Sequence, residues 1–464
     1  MTQAPDVDVA ADRTERLRPG VFSTERDGRT HLMAWPHHIS LPAGDRTAEL
    51  LARLAGTGQP AGAEDPATEL LRRGGWLDEE FRDERGIAFA VRQLRAREPV
   101  PDAGERLDLS RYAVIRAAAG RLIMESPLAS AEITIHRREL LPAALDPATV
   151  ADPATGTTVA AAPCGLAAAL REQLLAGGFL AAPDGEEERE LRYRQWAPHE
   201  LLFHDRSRLG YRGYVGDGFG GTWWGREAGF DPEPAAPPPY SGPHVSLPVP
   251  DFTDRRQGEG TYYDVAERRR SERVHDDASP ITVDQLAELL HRTARVRRVH
   301  EEDGVEFVNS PRPAGGSVYE LELYPVVTRC RGLDSGFYHY DAHRHRLEQV
   351  RPVDHHAVRR MLRVAAQGST TDAVPQVLLV VAARVGRVMW KYEGMGYAII
   401  LKNTGVLYHA LAGTCSAMEL AGCPLGTDDA VAFTEATGRD PLVECSVGQF
   451  IVGSSPRRHG GRSR

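Results

Sequence analysis

Eight prolines fall between Ala228 and Asp251, three of them in succession at Pro237, Pro238 and Pro239. Each removes a backbone donor and fixes φ, so neither a helix nor an interior strand can run through the stretch. The chain must fold as separate parts on either side of an extended connection, assigned here to residues 228–254. Its 464 residues agree, being too many for one ordinary core and suited to two or three domains. An apolar fraction of 41% is enough to fill those cores.

Upstream of the prolines, residues 1–19 are polar and mixed in charge, without the apolar region of a secretory signal, and are expected to be disordered. Two similar segments follow, residues 20–105 and 106–185. The first has a strand at His31–Trp35, an apolar helix around Leu50–Leu54 and a second helix ending in Gly74-Gly75-Trp76-Leu77. The second has strands at Arg121–Met124 and Ile133–Ile135 and a helix at Leu166–Leu175, ending in Gly177-Gly178-Phe179-Leu180. Two strand-helix units that close on the same glycine-glycine-aromatic-leucine stop predict tandem winged-helix-like modules. Neither carries a basic recognition helix, and a net charge of −9 argues against a nucleic-acid partner, which leaves a peptide-docking or structural role. Residues 186–227 are expected to hold a connecting helix and a glycine-rich loop. The run Gly216-Asp217-Gly218-Phe219-Gly220-Gly221 lacks the preceding buried strand and following amphipathic helix of a dinucleotide site, so a flexible loop is predicted.

Downstream, residues 255–454 read as one α/β unit. Thr282-Val283-Asp284-Gln285 is a capping-box signature ahead of Leu286, Leu289 and Leu290. Leu321–Val327 alternates as a strand, Phe337–Tyr340 and Leu347–Val350 form a hairpin, and Gln376–Ala382 is a buried strand. Thr404–Ala421 is expected to be a central helix, stopped by Gly422 and Pro424. Cys445–Val452 is a final strand, and Asp428-Asp429 caps the helix before it. The basic tail 455–464 is expected to be disordered.

Three stretches of this unit suit a bound phosphate and a flat ring. Arg269-Arg270-Ser271-Glu272-Arg273 offers planar bidentate donors and a hydroxyl at a spacing that can grip a phosphate. Ser310-Pro311-Arg312-Pro313-Ala314-Gly315-Gly316 joins rigid prolines to glycines, letting backbone amides approach a ring closely. Ala421-Gly422-Cys423-Pro424-Leu425-Gly426 is read as a compact loop. Between the second and third lies Lys391-Tyr392, a cation beside a phenol and before Glu393-Gly394-Met395-Gly396. Both side chains transfer protons once their surroundings tune them. The alternative reading of Lys391 is a solvated loop lysine.

These motifs, in this order, resemble the nitroreductase-like flavoenzymes, and more fully the SagB-type azoline dehydrogenases of ribosomal peptide natural-product pathways. The resemblance extends to Leu321-Glu322-Leu323-Tyr324, to Gly336-Phe337-Tyr338-His339-Tyr340-Asp341, and upstream to Trp196 and Phe203-His204-x-x-Ser207-Arg208. It implies an α+β fold: a C-terminal nitroreductase-like FMN-binding sandwich that dimerises with FMN at the subunit interface, preceded by the winged-helix-like modules. Arg269, Ser271 and Arg273 would hold the FMN phosphate, with Arg457 or Arg458 as a further contact. Ser310, Arg312, Pro313, Ala314 and Gly315 would lie along the isoalloxazine, and Gly422, Cys423, Leu425 and Gly426 would close the site. Lys391 and Tyr392 would be the catalytic pair, removing a proton as a thiazoline or oxazoline of a precursor peptide becomes aromatic; which of the two is the base stays open. Oxygen would reoxidise the flavin, and a cyclodehydratase is an implied partner. Tyr319 departs from the pattern, standing where many relatives carry histidine.

Two other functions are compatible with the sequence: a nitroreductase or flavin reductase using NAD(P)H, and a non-catalytic scaffold of a peptide-modifying complex. The five cysteines are unclustered, which suits reduced thiols without a zinc set, and Cys415 and Cys423 read as packed residues. His339, His343, His345, His355 and His356 read as a histidine-rich hairpin rather than a metal site. A mean hydropathy of −0.38 and the lack of a long uncharged apolar stretch give no membrane span, and a cytoplasmic location is expected.

Overall fold

The computed structural model describes residues 12–34, 37–62, 65–95, 107–145, 149–151, 158–160, 165–210, 218–253, 260–371 and 373–456. The chain divides into two compact units, Met1–Phe219 and Gly220–Arg464.

In the first unit a seven-stranded antiparallel sheet runs in the order Gln59–Pro60, Asp12–Leu17, Leu77–Asp83, Gly86–Gln93, Ala131–Ile135, Arg121–Glu125 and Val114–Ala118. The pairing of Gly86–Gln93 with Ala131–Ile135 joins both sequence repeats in one sheet. A separate three-stranded sheet, Phe22–Arg26, Arg29–Ala34 and His37–Pro42, belongs to the first repeat. Both glycine-glycine stops work alike. Gly75 and Gly178 take φ of 71° and 78°, which turns the chain so that Trp76 and Phe179 bury their rings. Disorder over residues 1–19 is corrected for Asp12–Leu17, which pairs along Leu77–Asp83. Its charged residues are paired, Arg13 with Glu79 across the sheet and Glu15 with Arg72 of the helix Pro66–Arg73, so it carries no apolar period to read.

The second unit is an antiparallel sheet covered on both faces. Its strands are β1 (His244–Ser246), β4 (Leu321–Val327), β5 (Gly336–Asp341), β6 (Arg346–Arg351), β7 (Val377–Arg384), β8 (Leu420–Leu425) and β9 (Glu444–Ser454); β2 (Arg298–Glu302) and β3 (Val305–Asn309) form a separate hairpin. The sheet order is β1-β6-β5-β4-β7-β9-β8. Alternate residues of β7 enter two cores. Val377, Leu379, Val381 and Ala383 join helices α3 (Val283–Ala294) and α6 (Gly396–Ala417), while Leu378, Val380 and Ala382 join α4 (His356–Ser369) and α7 (Ala430–Thr437). Burial on both faces explains why this strand reads as one apolar run. The remaining helices are α1 (Trp224–Glu227), α2 (Tyr262–Arg268) and α5 (Val385–Met389).

The capping box at Thr282 and Gln285 forms as expected, as does the cap of α7 by Asp429. The central helix is displaced from its expected span. It begins at Gly396 and ends at Ala417, the chain turns at Glu419 (φ 55°), and Leu420–Leu425 is an edge strand, not a loop. Gly422 is therefore not a helix stop. A Cβ there would stand 2.8 Å from Cys415 Sγ and 3.0 Å from the Phe450 ring, so glycine is needed where the strand passes under the helix. The proline-rich stretch lies within the second unit, where β1 pairs with β6. Prolines keep their carbonyls, and arginines supply the missing donors: Arg384 binds the carbonyls of Pro234 and Ala235, and Arg387 that of Glu233.

Candidate active site

Lys391 and Tyr392 sit on the turn that leaves α5, their amides both donating to the Val388 carbonyl. Gly394 (φ 67°) then lets the chain reverse into α6. The tyrosine ring is bracketed by two glycines. A Cβ on Gly316 would lie 3.0 Å from the Tyr392 hydroxyl, and one on Gly221 would lie 3.5 Å from its ring. The Ser310–Gly316 stretch and the lysine-tyrosine pair, 75 or more positions apart in the chain, therefore meet at Gly316, which has φ of 73°.

The Gly315–Gly316 turn is fixed from below. Asn403 on α6 accepts from the Gly315 amide at 2.9 Å and donates to Glu320 at 2.9 Å. Glu320 is fully buried with its second carboxyl oxygen unpartnered, and burial pushes its pKa up. Ser317 and Tyr319 hold φ of 56° and 48°, so non-glycine residues carry left-handed backbone directly after the turn. Tyr319 donates its hydroxyl to the Arg312 carbonyl. Arg312 is buried, its guanidinium donating to the Thr293 carbonyl at 3.2 Å, and burial lowers its pKa. Pro313 is exposed, and Ala314 and Gly315 are half-buried. The Ser310 hydroxyl is buried without a partner, a polar atom left over for a ligand.

A second cluster forms at the sheet edge. The Glu272 amide donates to the Gly422 carbonyl at 3.1 Å, laying the Arg269–Arg273 segment along β8, and Ser455 donates to the Glu272 carboxylate at 2.8 Å. Arg269, Ser271 and Arg273 are exposed, and among the described residues no carboxylate pairs with either arginine. Two unneutralised guanidiniums around a hydroxyl fit a phosphate dianion. Cys423 and Leu425 turn their side chains into the second core, and Gly426 is exposed, so this segment offers a ligand its backbone. Arg457 and Arg458 lie outside the described residues.

Sequence reasoning missed the strap that covers the lysine. Gly220 and Gly221 were expected in a flexible loop. Instead Gly220 and Glu393 exchange both backbone hydrogen bonds at 3.0 Å, and Thr222 donates to the Glu393 carboxylate at 2.6 Å. Residues 211–217 lie outside the described residues. Trp223 donates its amide to the Lys391 carbonyl at 3.1 Å, Gly225 to that of Trp390 at 3.1 Å, and the Trp390 indole to the Phe230 carbonyl at 2.8 Å. The Lys391 ammonium rests 4.4 Å from the centre of the Trp223 ring, 5.2 Å from that of Tyr392 and 5.8 Å from that of Phe307. A partner 171 positions away leaves no local pattern. The usable signal was composition: Lys391 and Lys402 are the only two lysines in the chain.

Among the described residues, no group of three or more His, Cys, Asp and Glu side chains is placed to hold a metal, and no helix is long and apolar enough to cross a membrane.

Residues 266–454 match the profile of the nitroreductase family, and residues 107–212 match that of the cyanobactin oxidase ThcOx. Among solved structures the chain is similar to a protein of Ralstonia eutropha JMP134 assigned to the nitroreductases, at 20% identity over 50% of this chain and 97% of that one, with a TM-score of 0.38. It is also similar to the E. coli microcin synthetase McbBCD complex with truncated pro-MccB17 bound, at 17% identity over 47% and 78%, with a TM-score of 0.34. A third is a protein of Exiguobacterium sibiricum 255-15 assigned to the nitroreductases, in complex with FMN, at 10% identity over 44% and 93%, with a TM-score of 0.30. No curated protein matches the chain.

Proposed function

The chain carries a nitroreductase-family oxidoreductase domain behind a region of cyanobactin-oxidase type, and from that premise we propose that it oxidises thiazoline or oxazoline rings of a ribosomally made precursor peptide to thiazole or oxazole, with FMN as cofactor. The observation that carries this reading is the Lys391–Tyr392 pair set against the Gly315–Gly316 turn, with the phenol 3.0 Å from where a Gly316 Cβ would stand. The glycine lets the phenol pack directly on the turn, so both proton-transfer groups stand beside the backbone proposed to line the ring.

Arg269, Ser271 and Arg273 would hold the FMN phosphate, the Ser310 hydroxyl and the Pro313–Gly315 backbone its ring. A flavin held there would supply a two-electron acceptor for the hydride leaving the azoline, with dioxygen as the final oxidant. Lys391 and Tyr392 divide the remaining work: one removes the proton from the α-carbon, and the other holds the substrate ring in place and polarises it.

Two clusters along one helix support a homodimer. Asn403, under the Gly315 turn, and Ser416, which binds the Val265 carbonyl of α2, are thirteen residues apart on α6. At the helical rise that is about 20 Å. The ring-side and phosphate-side groups of one chain are thus apart, and a second copy would complete each site. For the first unit, a cavity of about 680 Å³ lined by Arg13, Glu15, Arg72, Leu77, Val91 and Gln93 supports docking of the precursor peptide or a cyclodehydratase.

The test is incubation of the flavin-loaded protein with a thiazoline-bearing peptide, read by mass for loss of two hydrogens per ring. Lys391→Ala and Tyr392→Phe should each lower turnover on the order of 100-fold. Consumption of NAD(P)H without change in the azoline would replace this reading with a small-molecule reductase.

A further inference from the structure

A lysine amine that is half-buried ordinarily finds a carboxylate. Lys391 has none among the described residues, and the nearest one in sequence, Glu393, is engaged by Thr222. Its ammonium lies instead among the three aromatic faces of Trp223, Tyr392 and Phe307. The difference is chemical. A carboxylate holds an ammonium by accepting its N–H and competes for the proton. An aromatic face attracts the charge through the ring quadrupole and accepts no proton. A lysine seated on rings is fixed in place with no carboxylate occupying its N–H groups.

The Trp223 ring is the closest of the three, and the chain goes to some lengths to place it. Trp223 holds φ of 59°, a conformation unfavourable for a bulky residue. Its amide binds the Lys391 carbonyl, so backbone and indole grip the same residue. Either side of it is clamped: Gly220 and Thr222 onto Glu393 before, Gly225 onto Trp390 after. A Cβ on Gly225 would stand 2.3 Å from the Trp390 indole, so the strap fits only with glycine there. The Trp223 and Trp390 rings meet edge to face, 5.9 Å between centres, and the Arg226 guanidinium lies 5.0 Å from the Trp223 ring centre.

We propose that Trp223, carried by the strap Gly220–Phe230, is the positioning residue for Lys391: its indole face seats the ammonium beside the Tyr392 ring, with Phe307 as the far wall. The assignment rests on the reading of Lys391 as a proton-transfer group, but the seat itself is testable without substrate.

The chain makes the measurement clean, because Lys402 is exposed on α6 and is the sole other lysine. The full-length protein is treated briefly with an amine-acylating N-hydroxysuccinimide ester, and the ratio of label at Lys391 to label at Lys402 is read by peptide mass. In Trp223→Leu that ratio should rise about fivefold, while Trp223→Phe, which keeps an aromatic face, should stay close to the native ratio. In turnover of the azoline peptide, Trp223→Leu should lower kcat and leave KM in place. An unchanged labelling ratio in a folded Trp223→Leu protein overturns the proposal, and so does a Trp223→Phe ratio as high as that of Trp223→Leu. If Trp223→Leu does not fold, Phe307→Leu takes its place: a raised ratio supports the seat, an unchanged one overturns it. Because labelling needs neither peptide nor turnover, a native protein that leaves azolines untouched would end the proposed reaction while the seat is judged separately.

Discussion

Gly316 meets two demands at one residue. Its φ is 73°, and the Tyr392 hydroxyl is 3.0 Å from where a side chain would begin. Gly304 shares the first demand, with φ of 77°, but has open space around it. Comparing the two separates backbone strain from contact with the tyrosine. Both alanine substitutions should destabilise the protein by about 1 kcal/mol through strain, seen in thermal unfolding. Gly316→Ala should in addition displace Tyr392 and lower turnover at least tenfold, with Gly304→Ala as active as the native chain. Equal turnover in the two variants would detach the Gly-Gly turn from the reaction. At this scale the sequence was informative because glycine, lysine and tyrosine each have a property no neighbour can imitate. Arg312, Cys423 and Leu425 were less legible. Their identities suggested a site, but their side chains point into packed interior.

The elements follow local rules where the local signal is complete. The capping box at Thr282 is one such case, with Thr282 and Gln285 each satisfying the other's backbone amide at 3.2 and 3.0 Å. Thr282→Ala should cost about 1 kcal/mol of stability, measured by denaturant unfolding, and a loss within error of zero would mean that α3 is held by packing alone. Helix α6 shows the opposite. Its start at Gly396 and its end at Ala417 are not announced by caps, and the turn falls at Glu419, whose φ of 55° nothing in its neighbourhood foretells. The glycine and proline that looked like helix breakers belong to β8, where Pro424 is tolerated because the strand lies at the sheet edge.

Across the whole second unit, charge is buried as well as apolar surface. His339 is 1% exposed between Glu322 and Glu348, at 3.2 and 3.3 Å. Burial works against its charge, but the two carboxylates outweigh it and raise its pKa to about 9, while its hydrogen bond holds Glu348 down to about 2. A histidine raised above its unfolded value of 6.5 contributes stability that is complete below pH 6.5 and is lost as pH rises through about 9. Glu348 acts in the other direction: its contribution is present above 4.5 and is lost only as pH falls through about 2. The melting temperature of the full chain should therefore decline between pH 6.5 and 9.5, with a shallower alkaline decline in His339→Gln. Parallel slopes in the two proteins would show that another group carries the alkaline limb.

The amino-acid sequence determined that the chain folds in two parts, the strands of the second part, the two glycine-glycine helix stops, and the residue types of the candidate site: arginines around a serine, glycines after prolines, a lysine beside a tyrosine. These are properties of single residues or of neighbours within a turn, and they survive without knowledge of what lies opposite. The sequence misplaced the division, which falls at Phe219–Gly220 and leaves the prolines inside the second unit. Only the tertiary structure decided that both upstream repeats share a sheet, that β8 is an edge rather than a loop, and that Trp223 reaches Lys391. Each of those depends on backbone hydrogen bonds or ring contacts between segments far apart in the chain, and such pairings leave no period, cap or spacing in either segment.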